Sequence, residues 1–256
     1  MKKFLVGAII ALIILVIIAA LGVHFFLDAA VKRGVETIGP RVTKVDVKLD
    51  SVTISVLSGS GKIKGLLVGN PAGFKTPSAI QVGTASLALV PGTLLNDKIV
   101  IKSINVEAPE ITFETDLKSS NLSKLLDNIK ETSGEGKEPP PAQKPGEPAK
   151  PAKKLQVDDF VIKGGKVHVS VTPLNQTATV PLPDIHLTAL GTGPEGITPA
   201  ELTERVIKEI VKAAESQAAS VVTDIGKGAQ YLGGSLKTNV MDKVTKGVGD
   251  LFKKKQ

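Results

Sequence analysis

The chain has 256 residues, a mass of 26.7 kDa and a formal net charge of +7, room for one large domain or two modest ones. It contains no Cys, which excludes a disulfide framework, Cys-ligated metal sites and Cys nucleophiles, and it leaves the redox compartment open. Only 3% of residues are aromatic and only three are His, so the chain carries little equipment for chemistry.

Lys2 and Lys3 precede Phe4 to Leu27, a run without Asp, Glu, Lys or Arg and with His24 as its polar interruption. A bilayer core needs about 20 apolar residues in a helix. Residues 1–27 therefore read as a transmembrane signal anchor, and the leading lysines place the N-terminus in the cytoplasm. A cleaved signal peptide is the alternative. Against it, the run exceeds the usual apolar region of such peptides, and no clean Ala-x-Ala site follows.

Residues 28–39 read as a juxtamembrane helix, with Val31, Val35 and Ile38 at helical spacing. Residues 40–130 form the first part of a β-domain. Val45, Val47 and Leu49 alternate with polar residues, and Val52, Ile54 and Val56 do so in the opposite phase. The slip at Asp50-Ser51 predicts a bulge or bend. Further strands are predicted at Lys62–Gly69, Ile80–Val90, Lys98–Val106 and Glu110–Thr115. Leu117 to Ile129 then carries Leu122, Leu125, Leu126 and Ile129 at helical spacing, with Asn121 as the predicted N-cap.

Residues 131–154 hold six of the sixteen prolines among Lys and Glu, and read as a flexible insert. The β-domain resumes over 155–190, with strands predicted at Leu155–Ile162, Lys166–Thr172 and Val180–Leu190. Lys98–Phe113 lines up without gaps on Lys154–Val169 at a constant offset of 56, and both copies share a phase slip, Ile101 to Ile104 and Val157 to Phe160. That is the pattern of a repeated two-strand unit.

Residues 198–256 read as a C-terminal amphipathic helical region. Thr198-Pro199-Ala200-Glu201 is a capping box with Pro at the first helical position. Leu202, Val206, Ile210, Ala214, Ala218, Val221 and Ile225 form an apolar stripe that resumes beyond Gly226. From Lys227 to Gln256 there are seven Lys and two Asp, which is +5 of the net charge. Lys243, Lys246, Lys253, Lys254 and Lys255 are thus candidates for anionic lipid headgroups. The other reading is that the stripe packs on the protein's own sheet, since six glycines between Gly226 and Gly249 weaken an isolated helix.

The expected fold is mainly β with α: a transmembrane helix, an elongated antiparallel β-sheet or groove of repeated two-strand units, and C-terminal amphipathic helices. Gly61 to Phe74, with the turn formers Asn70, Pro71 and Gly73 and with Phe74 expected to pack under the sheet, resembles the signature strand and turn of the AsmA family of bacterial envelope proteins. Lys98–Glu114 resembles that family's strand, bend and strand, and Asn121 to Leu125 its following short helix. The resemblance covers roughly residues 1–190. It implies a single-pass inner-membrane protein with the bulk of its chain periplasmic, handling phospholipid or serving outer-membrane homeostasis. Groove candidates are Val52, Ile54, Ile104, Val106, Phe160 and Ile162. The chain is much shorter than family members that bridge two membranes, so shelter for one acyl chain is the expectation. A weaker resemblance, to the late-embryogenesis-abundant β-sandwich family, implies instead a closed, non-lipid structural or assembly partner in the envelope.

No catalytic, metal or cofactor site is expected, and the chain reads as a non-enzyme. His168 and His186 lie in strands without metal-spaced partners, Asp158-Asp159 sits at a repeat's bend, and neither Ser58–Gly61 nor Gly164-Gly165 makes a phosphate loop. Expected partners are membrane phospholipids and an envelope protein. Nucleic acid is a poor partner, because no aromatics interleave the basic residues.

Overall fold

The computed structural model describes residues 27–133, 153–172 and 176–231. Nearly all of the apolar run, most of the Pro-rich insert and all five C-terminal lysine candidates lie outside them. Among the described residues no helix is long and apolar enough to cross a membrane.

The described chain opens in helix α1, over 27–43. It continues through Pro40, past the expected end at residue 39, and stops at Lys44, whose φ of 55° breaks the helical path. Strands β1 (Val47–Ser55), β2 (Ser60–Gly69), β3 (Ser78–Leu89), β4 (Lys98–Glu107) and β5 (Glu110–Thr115) follow, then helix α2 (Asn121–Ser133). After the insert come β6 (Lys154–Lys163), β7 (Lys166–Val171), β8 (Gln176–Pro181), β9 (Ile185–Leu190) and helix α3 (Pro199–Tyr231). The strand expected over Val180–Leu190 is thus two, divided at Leu182-Pro183-Asp184, where a proline cannot donate to the ladder.

The nine strands among the described residues join one sheet, curled into a half-barrel. It is mixed, not antiparallel throughout. β4 pairs β6 and β5 pairs β7 in parallel, and every other pairing is antiparallel. The parallel pairs run from Lys98↔Lys154 to Thr115↔Val171, at the offset of 56 that relates the repeat in the sequence. The two copies are hydrogen-bonded neighbours, in register. A parallel pair needs a long crossover, and α2 with the insert supplies it.

The pairing breaks along two rows. One row passes through Asp50, Gly65, Gly83 and Ala108 to Gly164 and Pro183, each opposite the next in register. The other joins Lys102, Asp158 and Ala189, starting from a bulge on β4 against Ala88 and Leu89. Gly65, Ala108, Gly164 and Ala189 all take positive φ. Each crossing of a row resets the pleat by one residue. Val157, Phe160, Ile162, Val167 and Val169 consequently all face inward, although strict alternation would have turned part of the strand outward. Aligned kinks curl the sheet.

Helices fill the inner face. Thr198 and Glu201 form the expected capping box, with Glu201 N donating to Thr198 Oγ1 at 3.0 Å and Thr198 N to Glu201 Oε2 at 2.7 Å. In α3, Ile207, Ile210, Val211, Ala214, Ala218 and Val221 are buried in the core. Through residue 221, then, the stripe packs on its own protein. Each large side chain contributes roughly 1.5–3 kcal/mol by burial, enough to explain why this face is not left to solvent. α2 is capped not by Asn121 but by Ser120, whose Oγ accepts from Ser123 N at 3.1 Å. Leu122, Leu125, Leu126 and Ile129 are buried. Ser123 Oγ donates to Glu215 Oε1 on α3 at 2.7 Å, and Asn128 Nδ2 donates to Thr43 O at the end of α1 at 3.1 Å.

α1 covers the edge strand β1. Asp28 Oδ1 accepts from Ile54 N at 2.7 Å and Glu36 Oε1 from Leu49 N at 3.2 Å, satisfying donors that a sheet edge otherwise exposes. Hydrogen bonds from Lys32 and from Leu49 N–H hold the Glu36 carboxyl below its ordinary value.

Candidate functional site

The motif turn between β2 and β3 is a structural hub. Asn70 Nδ2 donates to Thr76 O at 2.7 Å, and Asn70 Oδ1 accepts from Asn121 Nδ2 at 2.7 Å. Asn121 is fully buried, and its Oδ1 accepts from Glu114 N at 2.9 Å and Leu122 N at 2.8 Å. The buried Glu114 carboxylate accepts from Lys75 N, Thr76 N and Thr76 Oγ1, all within 3.0 Å. Burial opposes its ionisation, but these hydrogen bonds outweigh burial and hold the carboxyl below its ordinary value. Gly73, at φ 100°, makes the turn; Pro71 is buried. Phe74 is only half-buried.

The site that stands apart from this framework is an apolar cavity of about 440 Å³. Its floor is the inner face of the sheet: Ile63 and Leu66 of β2, Ile80, Val82 and Ala85 of β3, Ile104 and Val106 of β4, Ile111 of β5, and Phe160 and Ile162 of β6. α1 forms one wall with Gly34, Val35, Ile38, Gly39 and Val42. α3 forms the other with Pro199, Leu202, Val206, Ile207 and Ile210. Among the described residues of the lining, Thr43 and Thr203 bear hydroxyls and none is charged. Its volume lies within the usual span of small-molecule sites, about 300–1,000 Å³.

Four of the six groove candidates, Ile104, Val106, Phe160 and Ile162, lie on this floor. Val52 and Ile54 do not. They pack with Leu49 beneath Val31 and Val35 of α1, in a cluster beside the cavity, because α1 lies directly on β1. The α1 and α3 walls were visible in the sequence as helical stripes. What periodicity does not carry is that the two stripes face each other across a gap.

Among the described residues the lining is apolar apart from its two threonine hydroxyls, and it offers no proton donor of useful acidity and no cation ligand set. Titratable pairs lie elsewhere. His186 contacts Asp159, and His168 Nδ1 lies 2.9 Å from Thr179 Oγ1 with its Nε2 3.7 Å from Glu110; these side chains are exposed. Among the described residues no group of three or more His, Asp or Glu converges on a metal-sized site. A second depression, of about 300 Å³, is lined by Thr53, Ser55, Lys62, Thr84, Ser86 and Glu107, residues that alternate with the inward-facing ones. Set against protein-family models, curated proteins and solved structures, the chain matches none.

Proposed function

We propose that this protein is a membrane-anchored envelope protein of AsmA type that shelters one acyl chain of a phospholipid between its sheet and its helices α1 and α3. The observation that carries the reading is the cavity of about 440 Å³ with an apolar floor and two apolar walls. An apolar lining of that character suits an apolar ligand. The apolar run Phe4 to Leu27 supports it by supplying an anchor next to lipid. One curled sheet with a gap beneath its helices favours this reading over the closed sandwich of a structural partner.

The test is photo-crosslinking of the full chain in vesicles containing phospholipid with a diazirine near the acyl terminus. Crosslinked peptides from β4 and β6, at Ile104, Val106, Phe160 or Ile162, are the expected result. Crosslinks restricted to residues 4–27 would sink the proposal, because the anchor alone would then account for all lipid contact.

A further inference from the structure

We propose that the end of the sheet carrying Leu57 and Leu95 rests in the membrane interface, with both leucines inserted among the lipid headgroups. Leu57 is 96% exposed and Leu95 is 95% exposed. One exposed leucine is ordinary. Here two lie on adjacent loops at the same end of the sheet. Leu57 is in the β1–β2 turn and Leu95 in the β3–β4 loop, and Leu89 N bonds Gly59 O across the gap between them. Gly59 has φ +66°, and a Cβ there would stand 2.5 Å from Leu89 O and 3.1 Å from Pro91, so the two loops touch backbone to backbone.

The loops hold the leucines outward. Val100 N donates to Thr93 Oγ1 at 3.0 Å, and Lys153 Nζ donates to Leu94 O at 2.6 Å and Asn96 O at 3.2 Å. The loop fixed on both sides keeps Leu95 away from the core, and covering an exposed leucine is favourable. The same bonds place the Lys153 ammonium beside Leu95, where an anionic headgroup suits it.

The position of α1 selects a bilayer as the partner. Asp28, at its start, accepts from Ile54 N, three residues before Leu57. At about 3.3 Å per strand residue, α1 begins about 10 Å from the turn. The apolar run immediately precedes it in the sequence. A span over that run leaves the membrane beside these loops. Gly34, the first cavity-lining residue, is six residues beyond Asp28 and so about 9 Å along the helix. The inference rests on the anchor and cavity proposed above, and it adds an orientation: this end of the cavity faces the lipid source.

The absence of native Cys permits the test. Leu57→Cys, Leu95→Cys and the control Lys118→Cys, at the opposite end of β5, are each labelled with an environment-sensitive fluorophore. The full chain is then reconstituted in vesicles of phosphatidylcholine and phosphatidylglycerol. The expected result is blue-shifted emission and quenching by doxyl-lipid at 57 and 95, with the 118 label quenched by aqueous iodide. Circular dichroism of each labelled variant checks that the fold is kept. Iodide quenching at 57 and 95 equal to that at 118 overturns the proposal. So does a blue shift that disappears on dilution of protein in lipid, which identifies a second copy as the cover. If acyl crosslinks at Ile104 or Phe160 persist while the 57 and 95 labels stay aqueous, the cavity reading stands and the orientation falls.

Discussion

Two glycines of α1 line the cavity five residues apart, and substitution at each should act in opposite directions. A Cβ at Gly34 meets nothing within 4 Å, whereas one at Gly39 would stand 3.0 Å from Val47 Cβ and Cγ1. Gly34→Leu removes a helix-interior glycine, a gain of about 0.5–1 kcal/mol. Projecting the side chain into the cavity buries it, worth roughly 1.5–3 kcal/mol. The sum, about 2–4 kcal/mol, raises the midpoint of thermal unfolding by about 4–16 °C for a domain of this size. The same leucine displaces about four methylenes of any acyl chain, at about 0.8 kcal/mol each, which weakens binding roughly two-hundredfold. Gly39→Leu must instead push Val47 aside and lift α1 from β1, a cost of about 1–3 kcal/mol. Thermal unfolding followed by circular dichroism, together with diazirine-lipid crosslinking at β4 and β6, reads both quantities. A more stable Gly34→Leu protein that no longer crosslinks is the expected outcome. Undiminished crosslinking, or a lower midpoint than the parent protein, would refute the geometry from which the prediction is drawn.

Three other substitutions probe the frame. Glu114→Gln should cost about 2 kcal/mol at neutral pH, since an amide cannot satisfy all the donors of Lys75 and Thr76. Because the Glu114 carboxyl lies below its ordinary value when folded, it stabilises the protein above its unfolded pKa, and that contribution is lost as pH falls through the folded pKa. The gap between parent and variant in urea midpoints should therefore close in acid; a gap constant with pH argues against the ionic clamp. Thr198→Ala breaks the capping box and should cost about 1 kcal/mol in chemical denaturation, with crosslinking unaffected. Gly65→Ala combines φ +63° with a Cβ 1.9 Å from Asp50 Oδ2, and strain of about 1–3 kcal/mol should appear as a lower melting midpoint; unchanged melting would mean the first kink row is not strained against substitution.

Much of the sheet was legible before its structure. The slip at Asp50-Ser51 marks the first kink row, and the slips from Ile101 to Ile104 and from Val157 to Phe160 mark the second. The offset of 56 marked a repeated two-strand unit, but neither the pairing of β4 with β6 and of β5 with β7 nor its parallel direction. A repeat overlay is silent on whether its copies lie side by side, and local alternation looks alike in parallel and antiparallel strands. Asn121 shows a different limit. As a short polar residue before an apolar run it resembled a cap, yet Ser120 caps the helix and Asn121 turns inward to Glu114 and Asn70, a tertiary choice that helix-start signals do not encode. Val52 and Ile54 belong to the inner face, as alternation indicated. Only the placement of α1 decides that they are covered and that Ile104, Val106, Phe160 and Ile162 border open space.

The two kink rows bear on how this chain can change length. Between them lie six residue steps in each of three neighbouring strands, from Lys102 to Ala108, Asp158 to Gly164 and Pro183 to Ala189. One residue gained or lost in a single strand would put its break out of line with its neighbours and present its apolar side chains to water. A viable change there has to occur in all three strands together, or by whole kinked units. The rows do not include the crossover's ends at Ser133 and Lys153, and the turn at Leu57 lies beyond both. Length variation among descendants of this sequence should therefore gather at the crossover and at the loop tips, while the distance between the rows stays fixed.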